Sequence, residues 1–306
     1  MSSLRKVFAE LLLDNGKLDP DLIVLVGDIS HGLLSEFRSA FPKRYFNIGI
    51  CEPAMVGLAA GLRIAGFNPV IHTIAPFLIE RSYEQIKLDF GYQGLGGNFV
   101  SVGGSFDYSK LGCSHHTYSD VSMMAQLPKS NVFVPGSSAE LQELFNQNYK
   151  NNEINYFRLT ENSHGHEFRP QNISSGEAIL VKEGNDITIA ALGPMLKVAL
   201  ESSKKLAEQG IDAEVLYYHT FKPFDAHAVI NSVKKTNRIA TVEELSSIGG
   251  LNSLALESCA GISLKSSLKF AVSNFVRSYG SYLDMLIEAE LSTEHIVNVI
   301  ARDVKK

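Results

Sequence analysis

The sequence predicts an α/β protein with two domains, each organised around a mostly parallel β-sheet. Two runs, DLIVLVGDIS at residues 21–30 and ITIAAL at residues 187–192, are apolar almost throughout, and helix-length segments follow strands of this kind along the chain. Strands buried on both faces form continuous apolar runs, and their alternation with helices is typical of parallel sheets. A polar stretch at residues 160–175 separates the two halves. We therefore expect a first domain at residues 1–163, a linker at 164–178 and a second domain at 179–306.

The composition narrows the class of protein. With 306 residues, of which 45% are apolar and 20% charged, the chain is long enough for two cores and typical of a soluble enzyme. The net charge of −5 and the lack of a Lys/Arg-rich run argue against nucleic-acid binding. No apolar stretch approaches the roughly 18 residues that a transmembrane helix needs. Three widely spaced cysteines without a CxxC pair, Cys51, Cys113 and Cys259, indicate reduced thiols in a cytoplasmic protein.

The first elements of the chain are a helix and a buried strand. Residues 1–16 predict an amphipathic helix, and they lack the cleavage site of a signal peptide. The apolar face of that helix contains Leu4, Val7, Phe8, Leu11 and Leu12. The strand at residues 21–30 carries Gly27-Asp28 near its end. An acidic group at the carboxyl end of a parallel strand often faces a ligand crevice, but a turn or helix cap would account for Asp28 equally well.

Glu52 begins a helix of small residues that follows a strand at residues 45–50. Pro53 suits the first helical position, where its missing N–H costs nothing. Small side chains allow close packing against another backbone, and the helix contains Ala54, Gly57, Ala59, Ala60 and Gly61. The local pattern alone favours an interaction of Glu52 with the helix dipole over a catalytic role.

A further helix is predicted at residues 76–90, after a strand at residues 69–74. It carries the aromatic residues Phe77 and Tyr83. An aromatic pair on a helix usually belongs to the core, so this pattern by itself does not indicate a site.

A long polar loop follows the strand at residues 98–102. Its sequence, GGSFDYSKLGCSHHTYSD, has no clear periodicity and contains the adjacent histidines His115 and His116. Loops of this kind carry function more often than cores do. No Cys/His/Asp cluster lies at metal-ligand spacing, and we therefore expect no metal site within the chain.

The rest of the chain continues the strand and helix alternation. We expect His164 and His166, in the polar linker, to be exposed to solvent. Strands are predicted at residues 131–135, 155–159, 187–192, 213–218 and 238–242, and helices at 138–149, from 194 to about 209, from 222, at 249–259 and at 293–304.

Four motifs together resemble the C-terminal half of a transketolase-type thiamine diphosphate enzyme. They are FNIGICEPAMVGLAAGLRIAGFNP, FLIERSYEQ, GCSHHTYSD and TVEELSSIGGLNS, in the order and at the spacing of that family. The resemblance covers nearly the whole chain and implies a pyrimidine-binding domain followed by a transketolase C-terminal domain. Transketolases, 1-deoxyxylulose-5-phosphate synthases and the beta subunits of 2-oxo acid dehydrogenases share this organisation.

The resemblance also implies a partner subunit. The family binds the diphosphate and a divalent metal with a GDG motif and a later Asn, whereas the only Gly-Asp pair here, Gly27-Asp28, is followed by Ile29. A second polypeptide is therefore expected to carry the diphosphate domain and hold most contacts to Mg²⁺. The family geometry suggests an α2β2 heterotetramer, with the site between the chains.

The resemblance assigns the cofactor contacts to four residues. Glu52 would hydrogen-bond the pyrimidine ring nitrogen of thiamine diphosphate, and burial is expected to raise the pKa of its carboxyl group. Phe77 and Tyr83 match aromatic positions of the pyrimidine pocket. Asp28 matches an acid that approaches the cofactor. A third aromatic often lies between the other two, but Glu80 stands there.

Substrate contacts are implied for the histidine loop and for a strand end. His115 matches the histidine that contacts the donor hydroxyls and the intermediate, His116 either shares this role or lines the loop, and Arg158 matches a phosphate-binding arginine. A surface ion pair is the alternative for Arg158. The family's acid before the histidine motif is replaced by Leu111, and a second histidine is replaced near Gly103. The sugar is therefore expected to lie outside the usual pentose phosphates, whether phosphorylated, nucleotide-linked or unphosphorylated.

These observations predict the C-terminal subunit of a thiamine diphosphate-dependent transketolase, which moves a two-carbon ketol unit between sugars. A 1-deoxyxylulose-5-phosphate synthase-like or 2-oxo acid dehydrogenase-like subunit is the enzymatic alternative. A structural or regulatory subunit is the alternative without catalysis, but the joint presence of Glu52, Phe77 and His115 argues against it.

Overall fold

The computed structural model describes residues 3–306, which form two α/β domains. The first contains α1 (Leu4–Leu18), β1 (Leu22–Val26), α2 (Ser35–Ala40), β2 (Tyr45–Asn47), α3 (Glu52–Ile64), β3 (Asn68–Ile74), a π-helix (Pro76–Glu80), α4 (Tyr83–Gln85), a second π-helix (Ile86–Tyr92), β4 (Gly97–Val102), α5 (Asp120–Ala125), β5 (Ser130–Phe133), α6 (Ser138–Asn148) and β6 (Ile154–Arg158). Short 3₁₀ turns lie at Cys113–His115, Pro170–Asn172 and Gly193–Met195. The second contains β7 (Ile179–Lys182), β8 (Ile187–Leu192), α7 (Leu196–Ala207), β9 (Ala213–Tyr218), β10 (Thr220–Lys222), α8 (Ala226–Thr236), β11 (Arg238–Ser246), α9 (Leu251–Ser258), β12 (Ser266–Val272), α10 (Tyr282–Glu288) and α11 (Thr293–Val304).

Helices cover both faces of the first sheet, whose strand order is β10-β5-β6-β4-β3-β1-β2. All five residues of β1 are buried. Successive side chains of a strand point to opposite faces. Accordingly Leu22 and Val24 pack with α1, α2 and α6, whereas Ile23 packs with α3 and the second π-helix. The apolar run thus forms a parallel strand that is buried on both faces, as expected.

The second sheet has the order β12-β11-β8-β9-β7, with only β7 antiparallel. α7 and α11 pack on one of its faces, and α8 and α9 on the other. The core around α8 and α9 is continuous with the core beneath α3 of the first domain. The expected two-domain α/β fold with mostly parallel sheets is confirmed.

Strand β10 connects the two domains. It follows β9 of the second sheet but pairs antiparallel with β5 at the edge of the first sheet, with Thr220 opposite Phe133. Lys222 Nζ donates to the carbonyl oxygens of Ala125 and Leu127 at 2.9 and 2.6 Å. A segment of the second domain therefore completes the sheet of the first.

The helix that we expected from residue 222 begins at Ala226 instead, because Asp225 caps it.

The single helix expected at residues 76–90 was wrong in detail. The segment is divided into two π-helical stretches separated by α4. Ser82 leaves the helical conformation with φ −110° and ψ 12°, and the Arg81 amide bonds the carbonyl five residues back, on Pro76, instead of four back. Such wide turns occur often at functional sites. Six elements were not predicted, namely α2, α5, β7, β10, β12 and α10.

The linker histidines differ from the expectation of solvent exposure. His164 is buried, and its Nε2 lies 2.7 Å from Oε1 of the buried Glu140, while His166 is half-buried. The prediction for His164 was wrong because Glu140, 24 residues earlier, supplies a partner that compensates its burial. Among residues 3–306, no helix is long and apolar enough to span a membrane.

Candidate active site

Four of the predicted site residues lie in segments that follow neighbouring strands of the first sheet. Glu52 follows β2, Asp28 follows β1, Phe77 follows β3, and His115 lies in the loop after β4. These strands are parallel and adjacent, so their carboxyl ends form a common edge. Ligands of open α/β sheets bind at such an edge.

Glu52 lies in the first turn of α3, with only 1% of its side chain exposed. Its Oε2 accepts a hydrogen bond of 2.8 Å from Nη1 of Arg81, whose guanidinium carbon lies 4.2 Å from the centre of the Phe77 ring. Met55 on α3 is buried, whereas Ile50, on the bend before the helix, is 70% exposed. Glu52 and Phe77 therefore both contact the planar guanidinium group of Arg81.

His115 also contacts Phe77. The two rings are 5.2 Å apart in an edge-to-face arrangement, and the ring of Tyr108 lies 6.1 Å from His115. The half-buried imidazole has Nδ1 at 3.0 Å from the Ser114 hydroxyl, and its Nε2 has no hydrogen-bond partner within residues 3–306. This ring can donate or accept a proton at a substrate hydroxyl.

His116 points into the protein. It is 4% exposed, its Nδ1 lies 3.2 Å from the Tyr118 hydroxyl, and its ring packs on Phe106. Burial lowers its pKa, so this imidazole is neutral near pH 7. Of the two adjacent histidines, only His115 is placed beside Phe77.

Glu80 connects the π-helix of Phe77 to the histidine loop. Its Oε1 accepts hydrogen bonds from Thr117 Oγ1 at 2.5 Å and from Ser119 Oγ at 2.6 Å. Sequence reasoning treated Glu80 only as a missing aromatic residue and did not single out Arg81. The signal was the position of both in FLIERSYEQ, one helical turn after Phe77.

Asp28 and Tyr83 form their hydrogen bonds with residues other than Glu52 and Phe77. Asp28 Oδ1 accepts from Asn47 Nδ2 at 3.2 Å and lies 3.0 Å from His31 Nε2. These hydrogen bonds, first from Asn47 and then from His31, lower the pKa of the Asp28 carboxyl group. The half-buried Tyr83 donates to the carbonyl oxygen of Met123 at 2.9 Å, and burial raises its pKa.

Arg158 is buried, with 1% of its side chain exposed. Its Nε donates to Asp120 Oδ2 at 2.8 Å, and its Nη2 donates to the Ser105 hydroxyl at 2.7 Å and to the Thr117 carbonyl oxygen at 3.3 Å. The expected alternative of a surface ion pair was wrong, because β6 lies inside the sheet. The guanidinium forms no hydrogen bond with Glu52, Phe77 or His115 among the described residues.

The arrangement suits recognition of a planar nitrogen heterocycle next to a sugar. A buried carboxyl group is joined through Arg81 to the Phe77 ring, and an imidazole whose Nε2 has no partner within residues 3–306 contacts the same ring. Within residues 3–306, no group of three or more His, Cys, Asp or Glu side chains is placed to bind a metal ion.

Family models match both halves of the chain. The model of the transketolase pyrimidine-binding domain matches residues 1–165, and that of the transketolase C-terminal domain matches residues 176–296.

Relatives of known name are similar over most of their length. A 6-deoxy-6-sulfo-D-fructose transketolase subunit of Clostridium sp. (strain MSTE9) is 36% identical over 84% of this chain and 80% of its own. An apulose-4-phosphate transketolase subunit of Phocaeicola vulgatus is 30% identical over 84% of this chain and 83% of its own. A solved split-gene transketolase, described as an inactive beta4 tetramer, superposes with a TM-score of 0.89 at 29% identity, covering 100% of this chain and 99% of that one.

Proposed function

The chain belongs to the transketolase family, and from this premise we propose that it is the C-terminal subunit of a split thiamine diphosphate-dependent transketolase. It would transfer a two-carbon ketol unit between sugars. Relatives that align over most of both chains are transketolase subunits, which supports this proposal.

The observation that carries the proposal is the arrangement of Glu52, Arg81 and Phe77. The Arg81 guanidinium is planar, bonds the buried carboxyl group through one edge and lies over the Phe77 ring. A planar nitrogen heterocycle needs the same two contacts, so these residues fit the aminopyrimidine of thiamine diphosphate. The Arg81 guanidinium and the pyrimidine cannot both bond Glu52 and lie over Phe77 at the same time. Arg81 would therefore move away when the pyrimidine binds.

The chain's own residues would bind, orient and move protons. Glu52 would hold the pyrimidine edge through a hydrogen bond, and Phe77 would fix the plane of the ring. Thiamine diphosphate, when bound, supplies the thiazolium carbon that adds to a ketose carbonyl. Tyr83 and Asp28 contribute to the walls of this site in our proposal.

His115 would act at the sugar. Its Nε2 has no partner among the described residues, and its ring lies 5.2 Å from the Phe77 ring, which supports this role. An imidazole in this position can remove a proton from a donor hydroxyl and return it to the product. His116 would support the loop from inside.

We assign the diphosphate and Mg²⁺ mainly to a partner subunit that carries the GDG motif, in an α2β2 assembly. We also place the enzyme in the cytoplasm. Among the described residues the three cysteines are free, with Cys51 and Cys113 exposed, which supports a reducing compartment. We assign residues 1–163 to the pyrimidine-binding domain, residues 164–178 to the linker and residues 179–306 to the C-terminal domain.

The sugar would lie outside the usual pentose phosphates. Leu111 is 53% exposed where the family has an acid. A Cβ atom on Gly103 would collide with the Tyr108 ring, so no histidine fits there. Arg158 is engaged by Asp120, and an anionic group would have to displace that pair to reach it. The reconstituted enzyme should therefore be offered phosphorylated, nucleotide-linked and neutral sugars as substrates.

The test is reconstitution with a diphosphate-domain partner, thiamine diphosphate and Mg²⁺, with ketoses and 2-oxo acids offered separately as donors. We expect ketol transfer from a ketose, and we expect Glu52→Gln to lower kcat by about 100-fold or more. Release of CO₂ from pyruvate without ketol transfer would overturn the transketolase assignment. Turnover by this chain alone would overturn the need for a partner.

A further inference from the structure

Glu80 occupies a position where related enzymes often have a third aromatic residue. In this chain the carboxylate turns to the histidine loop, where Oε1 accepts hydrogen bonds from the hydroxyls of Thr117 and Ser119. Both bonds are short, 2.5 and 2.6 Å, as is typical when the acceptor carries a charge. Thr117 is 1% exposed whereas Glu80 is exposed, so this bond joins a surface carboxylate to an interior hydroxyl.

Two contacts therefore join the π-helix at Pro76–Glu80 to the loop. The first is the edge-to-face contact of Phe77 with His115, and the second is the pair of hydrogen bonds from Thr117 and Ser119 to Glu80. His115 lies two residues before Thr117. Fixing Thr117 and Ser119 therefore restricts the backbone that carries the imidazole.

The loop has other supports in its backbone hydrogen bonds. Ser105 N donates to the Thr117 carbonyl oxygen at 3.1 Å, and Ser246 N donates to the Tyr118 carbonyl oxygen at 2.9 Å. These bonds attach the loop to its own start and to β11 of the second domain. The contacts of Phe77 and Glu80 attach it instead to the segment that faces Glu52.

We propose that Glu80 is a positioning residue that holds His115 against Phe77 at the reacting end of the site. A ring contact fixes a distance but leaves the loop free to slide, whereas two charge-assisted hydrogen bonds to one oxygen fix its register. The inference rests on the proposed function of His115. It assigns Glu80 a role in sugar orientation in place of the aromatic contact to the cofactor.

The kinetic test uses Glu80→Ala and Glu80→Gln in the reconstituted enzyme. We expect Glu80→Ala to lower kcat/KM for the ketose donor by about 10- to 100-fold, while the affinity for thiamine diphosphate stays within about twofold. Glu80→Gln should recover most of the loss, because its amide oxygen still accepts from both hydroxyls. The control is Glu84→Ala, since Glu84 is exposed and has no hydrogen bond or ion pair within residues 3–306.

Combined variants test whether Glu80 acts through Thr117 and Ser119. If Glu80 acts through the two hydroxyls, adding Thr117→Val and Ser119→Ala to Glu80→Ala should cause little further loss, because contacting residues are energetically coupled. Fully additive losses, equal losses in Glu80→Ala and Glu84→Ala, or an equal loss of cofactor affinity and donor kcat/KM would overturn the proposal.

A readout without turnover separates this inference from the proposed function. Diethyl pyrocarbonate modifies histidines, and peptide mass spectrometry measures the rate for His115 in the unassembled chain. We expect faster modification of His115 in Glu80→Ala and an unchanged rate for the exposed His227 on α8. If no sugar is turned over but this difference is found, the proposed function fails and the placement of His115 by Glu80 stands. An unchanged His115 rate would overturn the placement itself.

Discussion

Arg158 and Asp120 form an ion pair inside the first domain. Arg158 Nε donates to Asp120 Oδ2 at 2.8 Å, and the two side chains are 1% and 0% exposed. Tyr156 donates to the same oxygen at 2.6 Å. The guanidinium thus secures α5 and the loop before it, and the loop carries His115.

Removing Arg158 should destabilise the chain. Arg158→Met leaves a buried carboxylate without its counterion, and we expect a loss of about 3–5 kcal/mol in the free energy of unfolding. Urea denaturation of the unassembled chain measures it, and Arg158→Met combined with Asp120→Asn should recover part of the loss. Unchanged stability, with a raised KM for phosphorylated donors only, would instead support the phosphate-binding role.

The Glu52–Arg81 pair should be coupled in the free chain. Glu52→Gln, Arg81→Gln and the double variant form a double-mutant cycle, measured as free energies of unfolding. We expect a coupling energy of about 1 kcal/mol, because Arg81 is 43% exposed and its charge is partly screened by solvent. In the reconstituted enzyme with thiamine diphosphate the coupling should vanish, because the pyrimidine takes the place of Arg81. Persistence of the full coupling in the loaded enzyme would contradict this displacement. Lys197→Gln on α7 serves as an exposed control.

Glu140 should fasten the linker to both domains. The buried carboxylate accepts from the Tyr217 hydroxyl and the Gly136 amide at 2.7 Å each, and Oε1 lies 2.7 Å from His164 Nε2. Glu140→Ala leaves these groups without this partner. We expect it to lower the free energy of unfolding by about 3 kcal/mol or more.

Tyr217→Phe removes one of those bonds and should cost only about 1 kcal/mol. Denaturation curves of the two variants provide the comparison. Equal losses in both would show that the carboxylate is not the centre of this cluster.

His72 should make stability depend on pH. Burial, with the charge of Arg5 adding to it, lowers the pKa of His72 to about 4, against about 6.5 for an ordinary histidine. The unfolded chain therefore binds the proton first, and stability should fall as pH decreases from about 6.5 to about 4. His72→Gln should flatten this dependence in urea midpoints measured across that range. An unchanged slope in the variant would assign the effect to other groups.

Much of the fold follows from local patterns. The helix at Thr293–Val304 agrees with its predicted limits, and the start of α3 at Glu52 was predicted from Glu52-Pro53. The strands β7 and β10 were missed because they are short and pair with edges that another segment provides. Edge strands are specified by their neighbours more than by their own residues.

The sequence by itself determined the α/β class and the alternation of strands and helices, and the motifs that carry the family resemblance singled out Glu52, Phe77 and His115. The class and the alternation follow from apolar periodicity, which acts over short segments. Only the tertiary structure decided the partners of the charged groups. Arg81 reaches Glu52 across 29 positions, Arg158 reaches Asp120 across 38, and Thr117 reaches Glu80 across 37. Such pairs depend on which side chains burial brings together, because a charge removed from water needs a partner that the chain supplies from elsewhere.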